Sequence, residues 1–274
     1  MLNAIPSSLL WLFSIKGCLM KILGVIPARY GSTRFPGKPL VDILGKPMIW
    51  WVYQQAKRAK KLTNLIVATD DERISRVCDE FDIPWMMTKT THQTAANRLY
   101  EVSNKEEATY YIQINGDKPV IEACLIDLVI PNEIPQDIEF GSNLVVKMDN
   151  PVEVMEPSNI KVVFDKNGNV LYMSRSPIPF PYKSLKFNYY KHIGVIGYNK
   201  KMLDLYNNTK PGIRESIEGI DTLRFNDYGK VFKAIKASYI KSLSIDTPKD
   251  LEKVIEIIKT KFKNNELNNI KEIL

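Results

Sequence analysis

A basic loop follows the first apolar run of the chain, in the stretch KILGVIPARYGSTRFPGKPL. The apolar run is short enough for a buried strand, and a proline would end that strand. Two glycines in the loop let the backbone approach a ligand closely. The loop also carries three cations within ten residues: Arg29, Arg34 and Lys38. These residue types favour a phosphate-binding loop, and a solvated basic turn is the alternative.

Two carboxylates far apart in sequence each follow another predicted strand. Asp117 follows the apolar part of TYYIQINGDKP, and Asp246 lies in SIDTPKD. Mg²⁺ prefers oxygen ligands of this kind together with phosphate oxygens. The pair therefore predicts a metal site, although each residue alone could be a turn or helix-cap residue. Asp70, at the end of a further predicted strand, could reach the same crevice.

Alternating strands and helices must position these side chains. After the first strand, KPMIWWVYQQAKRAKK predicts a helix, NLIVATD a strand, DERISRVCDEFD a helix and IPWMMT a strand. This alternation predicts an α/β fold with a mostly parallel, Rossmann-like sheet that binds ligands beyond the carboxyl ends of its strands. We expect Trp50, Trp51 and Tyr53 to be core residues rather than a platform for base stacking.

The second half of the chain is richer in predicted strands. NIKVVFDKNGNVLYMSRSPIPF predicts two strands around an Asn-Gly turn, and YYKHIGVIGYN predicts another. We expect an extension at 1–19, a main domain at 20–262 and a tail at 263–274. Within the main domain we expect an inserted β-rich subdomain at about 140–235, for substrate binding or dimerisation. Thr247 and Asp250 predict a capping box at the start of the last helix.

Composition narrows the classes of function. The chain has 274 residues and a net charge of +7, which suits an anionic small substrate. It lacks RNP motifs, zinc-finger spacing and long basic blocks, so no nucleic-acid partner is expected. Three cysteines outside any CxxC spacing indicate a reducing, cytoplasmic location.

The first 20 residues contain an apolar run that is too short to span a bilayer. No basic region precedes this run, and no clear cleavage site follows it. An extension upstream of the domain is therefore favoured over a signal or an interfacial anchor, and no stable membrane insertion is expected.

The stretch VIPARYGSTRFPGKPL resembles the signature of the cytidylyltransferases that make CMP-3-deoxy-D-manno-octulosonate. Similar motifs follow in that family's order between about residues 21 and 256: GKPMIWWV, VATDDERI, NGDKP, SRSPIP, KHIGVIGY, SIEGIDTLR and IDTPKDLE. The resemblance implies a nucleotidyltransferase sheet and a reaction between CTP and an acidic sugar that gives a CMP-sugar and pyrophosphate. It also implies Mg²⁺ as cofactor, and the β-rich insert favours a homodimer.

The resemblance assigns roles to individual residues. The nucleotide-binding set is Arg29, Ser32, Arg34, Lys38 and Arg98. The acceptor-binding set is Asn115, Arg175, His192 and Asp221. Asp117 and Asp246 would hold Mg²⁺. Arg29, Lys38 and Asp117 would be catalytic, because positioning and charge neutralisation carry most of the rate in such a displacement.

Several acceptor-side motifs depart from the family pattern. The chain reads NGDKP for the usual QGDEP, TAANR for SGTER and IDTLR for LEQLR, and Ile196 replaces an aromatic residue. Loss of contacts to a sugar can change specificity by orders of magnitude. The acceptor could thus be 3-deoxy-manno-octulosonate, a different acidic sugar or another molecule. A catalytically weak nucleotide-binding relative is a further alternative, since Lys118 could compete with Mg²⁺.

Overall fold

A mixed sheet forms the centre of the computed structural model, which describes residues 20–31, 35–184, 186–238, 244–245, 247–267 and 270. The strands in these ranges are β1 (Ile22–Ala28), β2 (Asp42–Ile43), β3 (Lys46–Pro47), β4 (Asn64–Thr69), β5 (Trp85–Met87), β6 (Tyr110–Ile114), β7 (Gly141–Met148), β8 (Lys161–Phe164), β9 (Val170–Ser174), β10 (Tyr189–Tyr198) and β11 (Phe232–Ala237). The order across the main sheet is β11-β7-β10-β6-β1-β4-β5.

Helices connect these strands and cover the sheet. They are α1 (Met48–Ala56), α2 (Glu72–Glu80), α3 (Ala95–Lys105), α4 (Ala123–Val129), α5 (Pro151–Met155), α6 (Lys200–Asn208), α7 (Ile213–Glu218), α8 (Leu223–Asp227) and α9 (Pro248–Lys263). A short 3₁₀ turn spans Lys38–Leu40. In the described part of the chain, no helix is both long and apolar enough to cross a membrane.

The first half of the sheet is parallel, as predicted. β1 lies between β4 and β6 and is parallel to both, and β5 is parallel to β4. The central strands β1 and β6 are apolar runs buried on both faces, which is typical of parallel sheets covered by helices, whereas β5 is only partly buried. The carboxyl ends of these strands therefore meet at one edge of the sheet.

The strand β10 reverses the direction of the sheet. It is antiparallel to β6 on one side and to β7 on the other, and β11 then runs parallel to β7. The start of β10 thus lies at the same edge as the carboxyl ends of β1 and β6.

The expected insert at 140–235 is rich in strands, but β7, β10 and β11 continue the main sheet. The β8–β9 hairpin joins that sheet through β10. Extending the sheet pairs the backbone groups on its open edge, which a separate subdomain would leave exposed. The exact domain boundaries stay a prediction.

The helix α1 packs its aromatic residues into the core. Trp50, Trp51 and Tyr53 are all buried, which confirms their predicted core position. The helix ends at Ala56, earlier than its basic sequence predicts. The carboxylate of Asp127 accepts hydrogen bonds from the backbone N–H groups of Lys60 and Lys61, and these contacts hold the basic segment in a turn.

Two local signals of the second half are also confirmed. Gly168 has φ +78° in the turn between β8 and β9, as an Asn-Gly hairpin requires. Thr247 and Asp250 form a reciprocal capping box at the start of α9. The strand predicted just before this box falls largely on residues outside the described ranges.

Candidate active site

A cleft of about 1470 Å³ opens at the edge where β1 and β6 end and β10 begins. The loop after β1 lines it with Arg29 and Lys38, and the turn after β6 lines it with Asn115, Asp117 and Lys118. Because parallel strands present their carboxyl ends together, residues that are distant in sequence meet here.

The loop after β1 returns to the sheet through a glycine. Gly37 has φ +69°, and its N–H donates to the carbonyl of Tyr30 over 3.0 Å. A Cβ at position 37 would lie 3.2 Å from the Tyr30 ring. The positive φ and this close approach both favour glycine, which directs the chain into the 3₁₀ turn that starts at Lys38. Arg29 is exposed beside this loop, whereas Ser32 and Arg34 lie outside the described residues.

Lys38 and Asp117 form a partly buried ion pair in the cleft. The Nζ of Lys38 lies 3.5 Å from Oδ2 of Asp117 and donates to the carbonyl of Ile245 over 2.8 Å. The N–H of Ile245 donates to the carbonyl of Asp117 over 2.9 Å. The residues 244–245 therefore lie against the turn after β6. Asp246 itself lies outside the described residues.

One oxygen of Asp117 is available for a ligand. Its Oδ1 is buried and accepts no hydrogen bond from the described part of the chain. A buried carboxylate oxygen without a partner costs free energy unless a cation or a donor arrives. The environment of Asp117 thus fits a divalent cation.

A bulge in β10 shapes the other side of the cleft. The pairing of β10 with β7 shifts between His192 and Ile196, and Gly194 inside this bulge has φ +75°. A Cβ at position 194 would lie 2.5 Å from Nδ2 of Asn115 and 3.1 Å from Cε of Lys118. Because Gly194 has no side chain, the side chains of Asn115 and Lys118 can pass close to β10 and line the cleft.

His192 faces the cleft as a neutral imidazole. Its Nδ1 lies 2.7 Å from Oδ1 of Asn143, which assigns the proton to Nδ1 and leaves Nε2 as an acceptor. Burial lowers the pKa of His192 to about 3, the Lys118 ammonium adds to this effect and Asp117 opposes it. The ring can therefore accept a hydrogen bond from a hydroxyl group at neutral pH.

Asp221 lies on the turn between α7 and α8 and also lines the cleft. Burial raises the pKa of its carboxyl group to about 6, and the charge of Glu215 adds to this effect. Arg224 binds Glu215 through two hydrogen bonds of 2.7 Å, and both side chains are buried. This ion pair fixes the position of the turn that carries Asp221.

The two remaining arginines of the predicted site have other partners. Arg98 is 3 % exposed in the wall of the cleft, and its Nη2 donates to Oδ2 of Asp70 over 2.6 Å. Arg175 donates to the carbonyls of Glu218 (2.7 Å) and Pro157 (3.1 Å) rather than pointing into the cleft. Its acceptor-side role stays a prediction.

Some residues that build the cleft carry no signal in the sequence. Ser244 accepts a hydrogen bond from Nζ of Lys118 across 126 positions, and Asn143 orients His192 across 49. Ser244 lies beside Asp246 in SIDTPKD and Asn143 lies in no quoted motif, but neither residue type indicates these long-range contacts. The glycine of the β10 bulge could have been suspected from the IGVIG pattern, since glycine weakens a strand unless it serves a bulge or a close approach.

Comparisons with known proteins show the family of this chain. The family model described as cytidylyltransferase matches residues 23–232. A 3-deoxy-manno-octulosonate cytidylyltransferase of Solibacter usitatus is 39% identical over 241 residues, which are 87% of this chain and 95% of that protein. An 8-amino-3,8-dideoxy-manno-octulosonate cytidylyltransferase of Shewanella baltica is 38% identical over 239 residues, which are 85% of this chain and 97% of that protein.

A solved structure supports the same conclusion. The CMP:2-keto-3-deoxy-manno-octonic acid synthetase complexed with CTP superimposes with a TM-score of 0.82 and 35% identity, over 88% of this chain and 99% of that one. The predicted family and enzyme class are thereby confirmed. The chain belongs to the cytidylyltransferase family of nucleotidyltransferases.

Proposed function

We propose that this protein transfers a cytidylyl group from CTP to the anomeric hydroxyl of an acidic sugar, with 3-deoxy-D-manno-octulosonate as first candidate. The observation that carries the proposal is the cluster around Asp117. Its buried Oδ1 lacks a partner among the described residues, Lys38 lies beside Oδ2, and the neutral His192 faces the same cleft. The names of the similar proteins support CTP and an octulosonate as substrates.

The basic loop would bind the triphosphate. Arg29 and Lys38, together with Ser32 and Arg34, would hold the phosphate oxygens, and Arg98 would support the nucleotide from the wall of the cleft. The oxygen of the sugar hydroxyl then forms a bond to the α-phosphorus and its proton passes to solvent, while the bond from that phosphorus to the pyrophosphate oxygen breaks. Lys38 neutralises the charge that develops on the leaving pyrophosphate. Positioning and fixed charges supply most of the rate in this kind of reaction.

Asp117 and Asp246 would hold Mg²⁺, for which the unpartnered Oδ1 of Asp117 is suited. When bound, the ion supplies positive charge to the phosphate oxygens. On the other side of Asp117, the acceptor would meet Asn115, His192 and Asp221, with Nε2 of His192 accepting a hydrogen bond from a sugar hydroxyl. Arg175 would act on this side only through the chain segments that it contacts.

A different acidic sugar is the second candidate. The similar proteins already carry two acceptor names, which differ at the C8 position of the sugar. In this chain a buried lysine, Lys118, lines the acceptor half of the cleft, at a position where the family usually has glutamate. A change of charge at this place alters which acceptor groups are favoured.

We also propose a cytoplasmic homodimer. Phe180 and Tyr182, in the segment after β9, are 79 % and 90 % exposed, and Phe187 follows them. Large exposed apolar side chains of this kind are typical of interfaces. A second copy of the chain would cover them, and light scattering would then give twice the mass of 31.4 kDa.

Pyrophosphate release by the full chain tests the catalytic proposal. The assay contains CTP, Mg²⁺ and one of several acidic sugars, with 3-deoxy-manno-octulosonate first. We expect Asp117→Asn to lower kcat/KM by about 100-fold or more. Asp149→Asn removes the same charge from an exposed site outside the cleft and serves as control.

The outcome across sugars separates the candidates. Turnover with 3-deoxy-manno-octulosonate supports the first, and turnover only with another acid supports the second. If CTP binds in a Mg²⁺-dependent manner but no acceptor is used, the proposed transfer is wrong and the weak relative is favoured.

A further inference from the structure

We infer that Lys161, which lies outside the cleft, is a positioning residue for the acceptor: its ammonium binds the backbone of the acceptor-side wall and holds that wall in place. This role rests on the proposed function, because the wall receives an acceptor only if a sugar binds beside His192. The hydrogen bonds of one buried lysine, and the parts of the cleft to which its partners belong, carry the inference.

Lys161 is a buried cation whose partners are backbone carbonyls. It begins β8 and is 0 % exposed. Its Nζ donates to the carbonyls of Glu156 over 2.9 Å, Asn159 over 2.8 Å and Arg175 over 2.5 Å. An ammonium has three protons, so these carbonyls use all of them. Lys161 therefore organises the backbone around it and has no proton left for a substrate.

Two of the three carbonyls belong to the segment 156–160, which connects α5 with β8. Four residues of this segment line the cleft: Glu156, Ser158, Asn159 and Ile160. The N–H of His192 donates to the carbonyl of Ile160 over 2.9 Å, and β8 pairs with β10 at Lys161. The ammonium thus holds the segment at the point where it meets His192.

The third carbonyl extends these contacts to another part of the wall. The guanidinium of Arg175 donates to the carbonyl of Pro157 over 3.1 Å and to that of Glu218 over 2.7 Å. Glu218 is the last residue of α7. Lys161 and Arg175 together therefore join the segment 156–160 to the turn between α7 and α8, which also lines the acceptor half of the cleft.

A buried charge is an expensive way to fill this place. Burial lowers the pKa of Lys161, which shows that its surroundings disfavour the ammonium. An apolar side chain of similar length would fill the same volume without that cost. The ammonium instead supplies donors that fix several carbonyls at once. We therefore expect its loss to loosen the wall more than the sheet.

Hydrogen exchange of the full chain without ligands tests the positioning directly. We expect Lys161→Met to speed the exchange of the backbone amides of Asn159 and His192 at least 10-fold more than that of the amides of β1 and β6. A role in overall stability alone would speed the exchange of all these amides equally, and this result would overturn the inference.

Lys233→Met is the matched control. The ammonium of Lys233 donates to the carbonyl of Asn167 over 3.3 Å, in the turn at the opposite end of the same hairpin, and Lys233 lies outside the cleft. We expect this variant to leave the exchange of Asn159 and His192 within about twofold of the wild type. A control as severe as Lys161→Met would show that any loosening of the hairpin is enough, which contradicts the inference.

Calorimetry tests the consequence for binding. A non-hydrolysable CTP analogue is titrated into the full chain with Mg²⁺, and 3-deoxy-manno-octulosonate is titrated into that complex. We expect Lys161→Met to weaken binding of the sugar by about 10-fold or more and to leave the CTP analogue within about twofold. Equal weakening of both substrates would overturn the inference, because a general loss of structure has no preference between them.

Arg175→Met supplies a second variant in case Lys161→Met does not fold. Because both cations hold the same wall, we expect this variant to show the same pattern of exchange and binding. Where both single variants fold, the double variant should bind the sugar at most about twofold more weakly than the worse of the two. Effects that multiply would show two independent roles and would contradict the inference.

The exchange experiment also separates this inference from the proposed function. If Lys161→Met loosens the wall selectively but the wild-type chain releases no pyrophosphate with any acid, the proposed transfer is wrong and the role of Lys161 in the wall stands. If the wild-type chain is active and the variant leaves the wall unchanged, the proposed function stands and the inference is wrong.

Discussion

The carboxyl group of Asp221 is held in an environment that disfavours its charge. Its pKa rises from 3.8 to about 6, chiefly through burial. Between about pH 4 and 6 the folded chain therefore binds more protons at this site than the unfolded chain does. The free energy of unfolding falls as the pH rises through this window, and the cost persists above it.

Replacing Asp221 by asparagine should remove this cost. We expect Asp221→Asn to be more stable than the wild type by about 1–3 kcal/mol at pH 7.5, with the difference vanishing near pH 4. Urea unfolding at both pH values measures this, with Asp149→Asn as an exposed control. Equal stabilisation at both pH values would show that the charge of Asp221 is not the cause. A stabilising substitution that lowers activity would indicate that the chain keeps Asp221 for function.

Side chains at strand ends could be predicted from the sequence, because a strand end fixes where its next residues lie. Lys38 and Asp117 belong to this group, and the fold brings them within 3.5 Å. Asn143 and Ser244 could not be predicted in the same way, since their contacts depend on how distant segments cross. In the sequence Lys118 is only a departure from a motif, and its position in the cleft depends on the bulge at Gly194.

Two ion pairs join the short helices α7 and α8: Arg214 with Asp227, and the buried pair Arg224 with Glu215. Arg224 binds both oxygens of Glu215 and also donates to the carbonyl of Tyr206 over 2.8 Å. Neither helix is long enough to be stable alone. The buried pair of Arg224 and Glu215 therefore contributes to the geometry of the turn that carries Asp221.

Breaking the pair from one side should be costly. We expect Arg224→Met to lower the free energy of unfolding by about 3–5 kcal/mol, because Glu215 is left as a buried charge without its partner. The double variant E215L/R224M should recover most of this loss. Chemical unfolding of the three chains measures both effects. If the double variant is as unstable as Arg224→Met, packing rather than charge explains the loss.

The direction of a strand is not encoded in its apolar pattern. A buried run such as that of β10 has the same apolar pattern whether the strand pairs parallel or antiparallel. The parallel half of the sheet is predicted instead by the alternation of strands and helices. It does not reveal that β10 reverses the sheet between β6 and β7. Turn and cap signals depend on a few adjacent residues, which explains why the Asn-Gly hairpin and the Thr247 capping box were predicted correctly.

At the scale of the whole molecule, the sheet unites segments that the sequence separates. β7, β10 and β11 come from the expected insert at 140–235 and extend the sheet of the first half. Strands that are this far apart in sequence pair because the sheet as a whole assembles. No local sequence motif indicates which distant strands become neighbours. The overall α/β class and the position of the cleft could still be predicted, because both depend on the order of elements rather than on individual contacts.

The segment 244–245 contacts two of the lysines that line the cleft, since Ser244 accepts a hydrogen bond from Lys118 and the carbonyl of Ile245 accepts one from Lys38. A ligand that moves Lys118 therefore disturbs Ser244 and, through it, the adjacent Ile245 that binds Lys38. The same holds in the opposite direction for a ligand that moves Lys38. The two substrates should consequently bind cooperatively, with a coupling free energy of about 1–3 kcal/mol that is equal whichever binds first.

Calorimetric binding of each ligand with and without the other measures this coupling. Ser244→Ala removes one of the two contacts and keeps the carbonyl of Ile245, so it should reduce the coupling and leave the affinity for CTP alone unchanged. An equal coupling free energy in the wild type and in Ser244→Ala would contradict this expectation. With the coupling present, two adjacent residues, Ser244 and Ile245, make the affinity of each half of the cleft depend on whether the other half is occupied.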